Sequence, residues 1–305
     1  MEKALLEENV EVLKQAVGSW MDRRLVLMTA SQFAAKGKRM DGTAFLKVSD
    51  LVKKSTSFFS PLRSIYYPMT GLILANGNLP DEEVNRLHRN YETLRSAGFR
   101  SSVFTYIAAF LMEDHMDPRR INTVHEEMKK YHRFLTSHDD YPAAAIIAKQ
   151  EGQVEELVHI SEQYYKTLSE NGFYKGNDLQ FMANMLVMNG AFRKETVSNV
   201  IYAMDELSRS GLKVKQMHYS SLCVIALSGK LKEAISYALE LRDMKEFKWH
   251  KDMAIVAAAV FVSQEYVDAS TGLTAAIQAL IQAQHASVAA ASAAAAASAG
   301  GSSGS

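Results

Sequence analysis

Cysteine is almost absent: Cys223 is the only one in 305 residues. No intramolecular disulfide is possible, and the composition fits a reducing compartment. Cys223 lies in the apolar run LCVIALSG, which marks a small buried hydrophobe rather than a reactive thiol. Prolines number five, and runs that alternate β-branched with polar residues are few, which argues against sheet. A surplus of one charge is missing too, since 34 Lys and Arg stand against 34 Asp and Glu. A chain that grips a polyphosphate ordinarily carries a basic excess, so nucleic acid is not an expected partner. No Leu/Ile/Val-rich run reaches the ~20 residues that a membrane-spanning helix needs. The opening MEKALLEENVEV is acidic and amphipathic, with no basic start before an apolar core, so it is not read as a secretory signal. These absences lead to the expectation of a cytoplasmic protein with no membrane span. GxGxxG, Walker, GxSxG, HExxH, paired CxxC and calcium-loop patterns are also missing. No cofactor, resident metal or catalytic residue is therefore expected.

What the sequence does contain is a repeated plan. VEELVHISEQYYKTLSENGF from Val154 is an amphipathic helix pattern that stops at Gly172, and YKGNDLQFMANMLVMNG is a more apolar one that stops at Gly190. Gly37, Gly77, Gly152, Gly190 and Gly229 each follow an apolar helical run, at a spacing close to 38 residues with one double gap. Glycine enters the left-handed conformation past a helix end without a Cβ clash. His115 lies near the middle of the double gap, where the missing stop belongs. A second series, Leu94…Gly98-Phe99, Leu168…Gly172-Phe173 and Leu207…Gly211-Leu212, has the Schellman spacing, in which the residue past the glycine folds back on the last turn. Val197, Val200, Ile201, Met204 and Leu207 form one stripe on a first helix, whereas VFTYIAAFLM and MAIVAAAVFV are apolar nearly all round. A helix without a polar face is buried on most sides, so the second helices are expected to form an inner layer.

The predicted fold is all-α: an α-solenoid, a right-handed stack of about seven antiparallel helical hairpins over residues 1–268, read as one domain. An Ala/Ser-rich tail, 269–305, is expected to be part helix and part disordered.

Counting back from each stop gives Ser64, Ser102, Asp139, Asn177, Gln216 and Asp252, all polar and all near the start of a second helix. Helix capping is one reading of this row. Around it lie Arg63, Tyr66, Tyr106, Asp140, Tyr141, Asp178, Gln180, His218 and Tyr219. With Asn177 and Asp252 these residues form a candidate groove for a protein segment or a polar ligand. In the competing reading the tyrosines seal the hairpin interfaces. A pocket that joins His218, Asp178 and Tyr141 in a sensor or enzyme is an alternative, and single-stranded RNA binding, one base per hairpin, is a further one. HDD at His138–Asp140 and HKD at His250–Asp252 offer metal-ligand types, but they stand three repeats apart.

Three segments carry a resemblance. FLTSHDDYP at Phe134–Pro142, GFYKGNDLQFMA at Gly172–Ala183 and LRSAGFRSSVFTYIAA at Leu94–Ala109 resemble an uncharacterised family of low-GC Gram-positive bacteria, domain-of-unknown-function family 4003. The likeness covers most of the chain and is weakest over the first hairpin and the tail. It implies a cytoplasmic protein with no assigned activity and no catalytic residues to carry across. The period also resembles tetratricopeptide and pentatricopeptide repeats, most closely at GKLKEAISYALEL from Gly229, although their full consensus is absent.

Overall fold

The structure, a computed structural model, describes residues 3–18 and 21–267; the expected tail at 269–305 lies outside them. Among the described residues there are α-helices and short 3-10 turns and no strand. The first helices of the expected pairs are α1 (Lys3–Val17), α3 (Gly42–Lys54), α5 (Pro80–Ser96), α7 (Pro118–Tyr131), α9 (Val154–Glu170), α11 (Lys194–Arg209) and α13 (Leu231–Asp243). The second helices are α2 (Arg23–Ala35), α4 (Tyr66–Asn76), α6 (Val103–Leu111), α8 (Tyr141–Ala148), α10 (Asn177–Leu186), α12 (Tyr219–Ser228) and α14 (Met253–Val267).

Helix starts follow local chemistry. Asp41 accepts from the backbone N–H groups of Thr43 and Ala44, and Asp117 accepts from that of Arg119. Each satisfies a donor that has no partner within its own helix. Pro80 and Pro118 occupy first helical positions, where the missing N–H costs nothing.

The ends follow the glycines. Gly98 has φ +95°, a conformation that an L side chain resists. The Phe99 N–H donates to Leu94 O at 3.1 Å and the Gly98 N–H to Arg95 O at 3.1 Å, the paired bonds of a Schellman ending. Phe173 N–H to Leu168 O at 3.2 Å and Leu212 N–H to Leu207 O at 3.1 Å repeat the longer bond. In the double gap, α6 ends at Leu111 without a glycine. Arg86 and Asn90 of α5 take the carbonyl groups instead: Asn90 Nδ2 donates to Ala109 O and Met112 O, and Arg86 donates to Phe110 O and Met112 O. Arg120 of α7 does the same past α8, donating to Ala148 O, Gln150 O and Gly152 O at 2.8–2.9 Å.

Every first helix lies against the second helix that follows it. The second helices also touch one another in succession: α2 on α4, α6 on α8, α8 on α10, α10 on α12 and α12 on α14. The 3-10 turn Pro61–Ser64 ahead of α4 packs on α6. α14 then packs on α2 as extensively as α1 does, so the last pair meets the first. All of α8 and the stretch Met253–Ser263 of α14 are buried. Each large aliphatic side chain removed from water in this layer contributes about 1.5–3 kcal/mol before conformational entropy is set against it. α2 and α4 approach closely, since a Cβ built on Gly71 would stand 2.8 Å from Thr29 Cγ2.

Contacts between neighbouring pairs fix which loops share an end. At one end, Ser60 meets Tyr106, Phe99 meets Tyr141, Thr136 meets Gln180, Tyr174 meets Tyr219 and His218 meets Asp252. These are the loops that lead from a first helix to its second, and their end is called here the upper rim. Lys36 on Ala75 O, Lys149 on Glu113 and Tyr164 on Ala191 O join the opposite loops at the lower rim.

Candidate functional site

The upper rim gathers the polar row, and most of its members are occupied there by structural bonds. Ser102 caps α6, its Oγ accepting from the Thr105 N–H at 3.1 Å. Asp140 is buried, and its carboxylate accepts the Ser137 N–H at 3.0 Å. Burial lifts its pKa to about 7, against the pull of that bond. Tyr141, also buried, sits between Phe99, at 4.7 Å between ring centroids, and His125, at 4.8 Å. Two interfaces on, Tyr219 repeats the arrangement against Phe173 at 5.0 Å, and its hydroxyl accepts the Tyr174 N–H at 3.1 Å. These tyrosines close the junctions between pairs.

His218 is fully buried. Its Nδ1 accepts the Lys215 N–H at 2.9 Å, so the Nε2 proton is the one donated to Asp252 O at 3.0 Å. Burial lowers its pKa to about 4. Both ring nitrogens are engaged with backbone and Tyr141 lies between rings, so neither is free to build a pocket with Asp178. Asp178 is half-buried, and burial raises its pKa. Gln180 is buried and donates to Thr136 Oγ1 at 2.9 Å. Asn177 is exposed at the first position of α10. The carboxylate of Asp252 pairs with Lys215 Nζ at 3.2 Å. Arg63 is tied to its own loop, donating to Ser57 O and Lys53 O, each at 3.2 Å. The Tyr66 ring stacks at a tilt on Tyr67, 4.1 Å between centroids. Tyr106, Gln180 and Asp252 each line a different one of the described cavities.

Two candidates border open space, Asp252 in one pocket and Tyr106 in another, and Tyr106 is the one set among aromatic and hydroxyl groups. It stacks face to face on Tyr91, with centroids 3.8 Å apart and planes 5° from parallel. Burial pushes its hydroxyl pKa up to about 12, so it is a hydrogen-bonding group and not an acid near neutrality. Its hydroxyl lies 3.0 Å from Ser60 Oγ, and that of Tyr91 lies 2.8 Å from Ser101 Oγ. Both tyrosines help to wall a cleft of about 430 Å³ between the α3–α4 loop and the start of α6. Ser55, Ser57, His88, Glu92, Arg95 and the exposed ring of Phe59 complete much of its lining. None of these stood out in the sequence. The signal was the run Ser55-Thr56-Ser57-Phe58-Phe59-Ser60-Pro61, a loop too polar for core and too aromatic for a plain turn.

The chemistry of the cleft is hydrogen bonding. One cation, Arg95, opposes one carboxylate, Glu92, and burial lowers the pKa of His88, which keeps the ring neutral. Ser55 and His88 touch, Oγ to Nε2 at 2.8 Å. The hydroxyl proton of Ser55 goes to Val52 O at 2.8 Å, so the ring nitrogen is the donor. That is the reverse of the polarity a base-activated serine needs. A smaller void of about 10 Å³ beneath the His132–Glu162 ion pair has room for no more than a water. Among the described residues no three His, Cys, Asp or Glu side chains gather as a metal site, and no helix is long and apolar enough to cross a membrane.

Comparison with known proteins places these features in a wider group. A sequence profile of a family described as "Protein of unknown function (DUF4003)" matches residues 9–286. A curated relative, "Uncharacterized protein YeaA" of Bacillus subtilis (strain 168), is 25% identical over 282 residues, which is 87% of this chain and 85% of the relative. No solved structure matches.

Proposed function

The chain belongs to the DUF4003 family of proteins of unknown function, and on that premise we propose that it is a non-catalytic helical-repeat binding module that takes an uncharged polar ligand. In this reading the helix pairs are the bricks of an α-solenoid of tetratricopeptide type, bent until its ends touch. The packing of α14 on α2 supports that closure. The ligand is a polyhydroxylated or amide-bearing molecule, free or on a protein segment. The cleft beside Tyr91 and Tyr106 carries the proposal. Its volume falls within the range of small-molecule pockets, and its lining is rich in hydroxyls around an aromatic wall with balanced charge.

The test is thermal denaturation of the full chain against a panel of sugars, polyols, nucleosides and short uncharged peptides. A ligand at about a hundred times its Kd stabilises the folded state by about 2.7 kcal/mol. One class is expected to raise Tm. Ser57→Trp, a substitution at an exposed position on the cleft lining, is expected to abolish that rise while leaving the unliganded Tm in place. A panel with no effect, or a rise that survives Ser57→Trp, removes the cleft from consideration.

A further inference from the structure

A formal charge of zero conceals two unlike ends. The loops of the upper rim carry Arg100, Arg133, Lys175, Lys213, Lys248 and Lys251, all exposed and none in an ion pair among the described residues. Every described carboxylate in these loops is buried or half-buried: Asp22, Asp139, Asp140, Glu246 and Asp252. At the lower rim the balance is reversed. Asp41, Glu113, Asp114, Asp117 and Glu151 are exposed in its loops and outnumber the exposed cations there, Lys38, Arg39 and Arg193. In the first turns of the helices that start at that end, Asp81, Glu82, Glu155, Glu156, Glu195 and Glu233 are exposed and outnumber the exposed Lys3, Arg119, Lys194 and Lys232. Negative charge at helix N-termini and positive charge at C-termini is favoured by the helix dipole. The first helices follow this preference, and loops and first turns together leave one basic end and one acidic end.

The basic end also holds exposed aromatic side chains. Phe58 and Phe59 lie in the α3–α4 loop, Phe134 in the α7–α8 loop, Tyr174 in the α9–α10 loop and Trp249 in the α13–α14 loop. Phe134 is 99% exposed and Trp249 83%. In the lower-rim loops the one exposed large hydrophobic described is Leu79. Between the last two pairs the upper rim has a pocket of about 270 Å³ lined by Lys213, Lys215, Arg242 and Lys251 against the single carboxylate of Asp252. Trp249 stands two residues before Lys251, with Lys248 Nζ 5.1 Å from its ring centroid.

We infer that the upper rim docks on an anionic phospholipid surface, with the aromatic loop tips entering the interfacial layer and the four-cation pocket receiving a lipid phosphate. Three observations select this partner. The aromatic tips stand on separate loops around one end of the molecule, so a single peptide would not reach them all, whereas a flat sheet of lipid would. They do not form the packed cluster typical of a protein hot spot. Their neighbours are largely lysine, which is depleted at protein interfaces but attracted to anionic headgroups. The same pairing of aromatic residues with Lys and Arg marks interfacial helices that lie on membranes without crossing them. The surface shares the Phe59 ring with the cleft but needs no ligand bound there.

The experiment is co-sedimentation of the full chain with vesicles, together with tryptophan emission. Vesicles of phosphatidylcholine alone are compared with vesicles containing roughly one-third phosphatidylglycerol. Binding to the anionic vesicles is expected, with a blue-shifted emission, release at about 0.5 M salt, and no binding to the neutral vesicles. The double change Lys213→Gln and Lys251→Gln is expected to weaken partition about 30-fold, since each basic residue near such a surface contributes about fivefold. Trp249→Ser is expected to weaken binding and reduce the blue shift. Glu113→Gln with Asp114→Asn, at the lower rim, is expected to leave partition unchanged, and far-UV circular dichroism confirms that each variant is folded. The inference is overturned if anionic vesicles sediment no protein, or if the lysine double variant partitions like the parent. It is equally overturned if poly-glutamate, single-stranded RNA or inorganic phosphate binds while anionic vesicles do not.

Discussion

Replacing His218 with asparagine separates a structural histidine from a chemical one. The Oδ1 of the new side chain occupies about the place of Nδ1 and keeps an acceptor for the Lys215 N–H, while the donor to Asp252 O is lost. Losing a buried bond and leaving a carbonyl without its partner costs about 1–3 kcal/mol at pH 8. The diagnostic is the pH dependence. The folded pKa of His218 is lowered to about 4 from an ordinary 6.5 by burial. The fold therefore favours the neutral ring. Its contribution is fully present above pH 6.5 and is lost as pH falls towards 4, because the unfolded chain takes up the proton first. Between pH 8 and pH 5 this single group removes about 2 kcal/mol from the parent, at about 1.4 kcal/mol per pH unit once titration is under way. The amide of the variant does not titrate, so the gap between parent and variant narrows by about that amount over the same interval. Urea unfolding followed by circular dichroism at each pH measures it. A gap that stays constant from pH 8 to pH 5 refutes the claim that the ring is buried neutral between two backbone groups.

Other consequences are open to similar measurement. Gly98→Ala places a Cβ on a backbone at φ +95° and is expected to destabilise by about 1 kcal/mol or more, read as a fall in the urea midpoint. Arg120→Met strips the donors from three carbonyl oxygens beyond α8 and is expected to cost about 2 kcal/mol; an unchanged midpoint would show that water replaces the guanidinium at no cost. Cys223 is buried, and its thiol pKa is raised by burial, so Ellman's reagent is expected to leave the native chain unmodified and to titrate one thiol in denaturant. Burial of a protonated Asp140, with its pKa raised to about 7, acts oppositely to His218. Its contribution is complete below pH 3.8 and is lost as pH rises through 7, so Asp140→Asn is expected to gain stability relative to the parent between pH 4 and pH 8.

The helices were legible because their punctuation is local. Glycines at 98, 172 and 211 encode an ending that needs only the residues on either side. All-apolar segments such as Met253–Val262 encode an inner layer through the absence of any polar face. The stop near His115 falls in the loop between α6 and α7, but its cause is not local: α6 ends through Arg86 and Asn90 on another helix, and no nearby pattern reports that. The site was less legible. His218, Tyr141 and Tyr219 look like ligand residues when only their side-chain chemistry is known. Only three-dimensional neighbours show a histidine held between two backbone groups and tyrosines wedged against Phe99 and Phe173. The Tyr91–Tyr106 cleft joins residues from two pairs, and the charge separation between the rims emerges only once each loop is assigned to an end.

The contact of α14 with α2 also bears on how such a chain could have grown. An open array gains or loses a unit at either terminus and needs a polar outer face on the outermost ones. In this chain α14 covers α2, so removing the first helices would bare an apolar flank of the last ones, and the reverse. Change is then channelled into the loops, where sequence alters what the molecule touches without altering whether it folds.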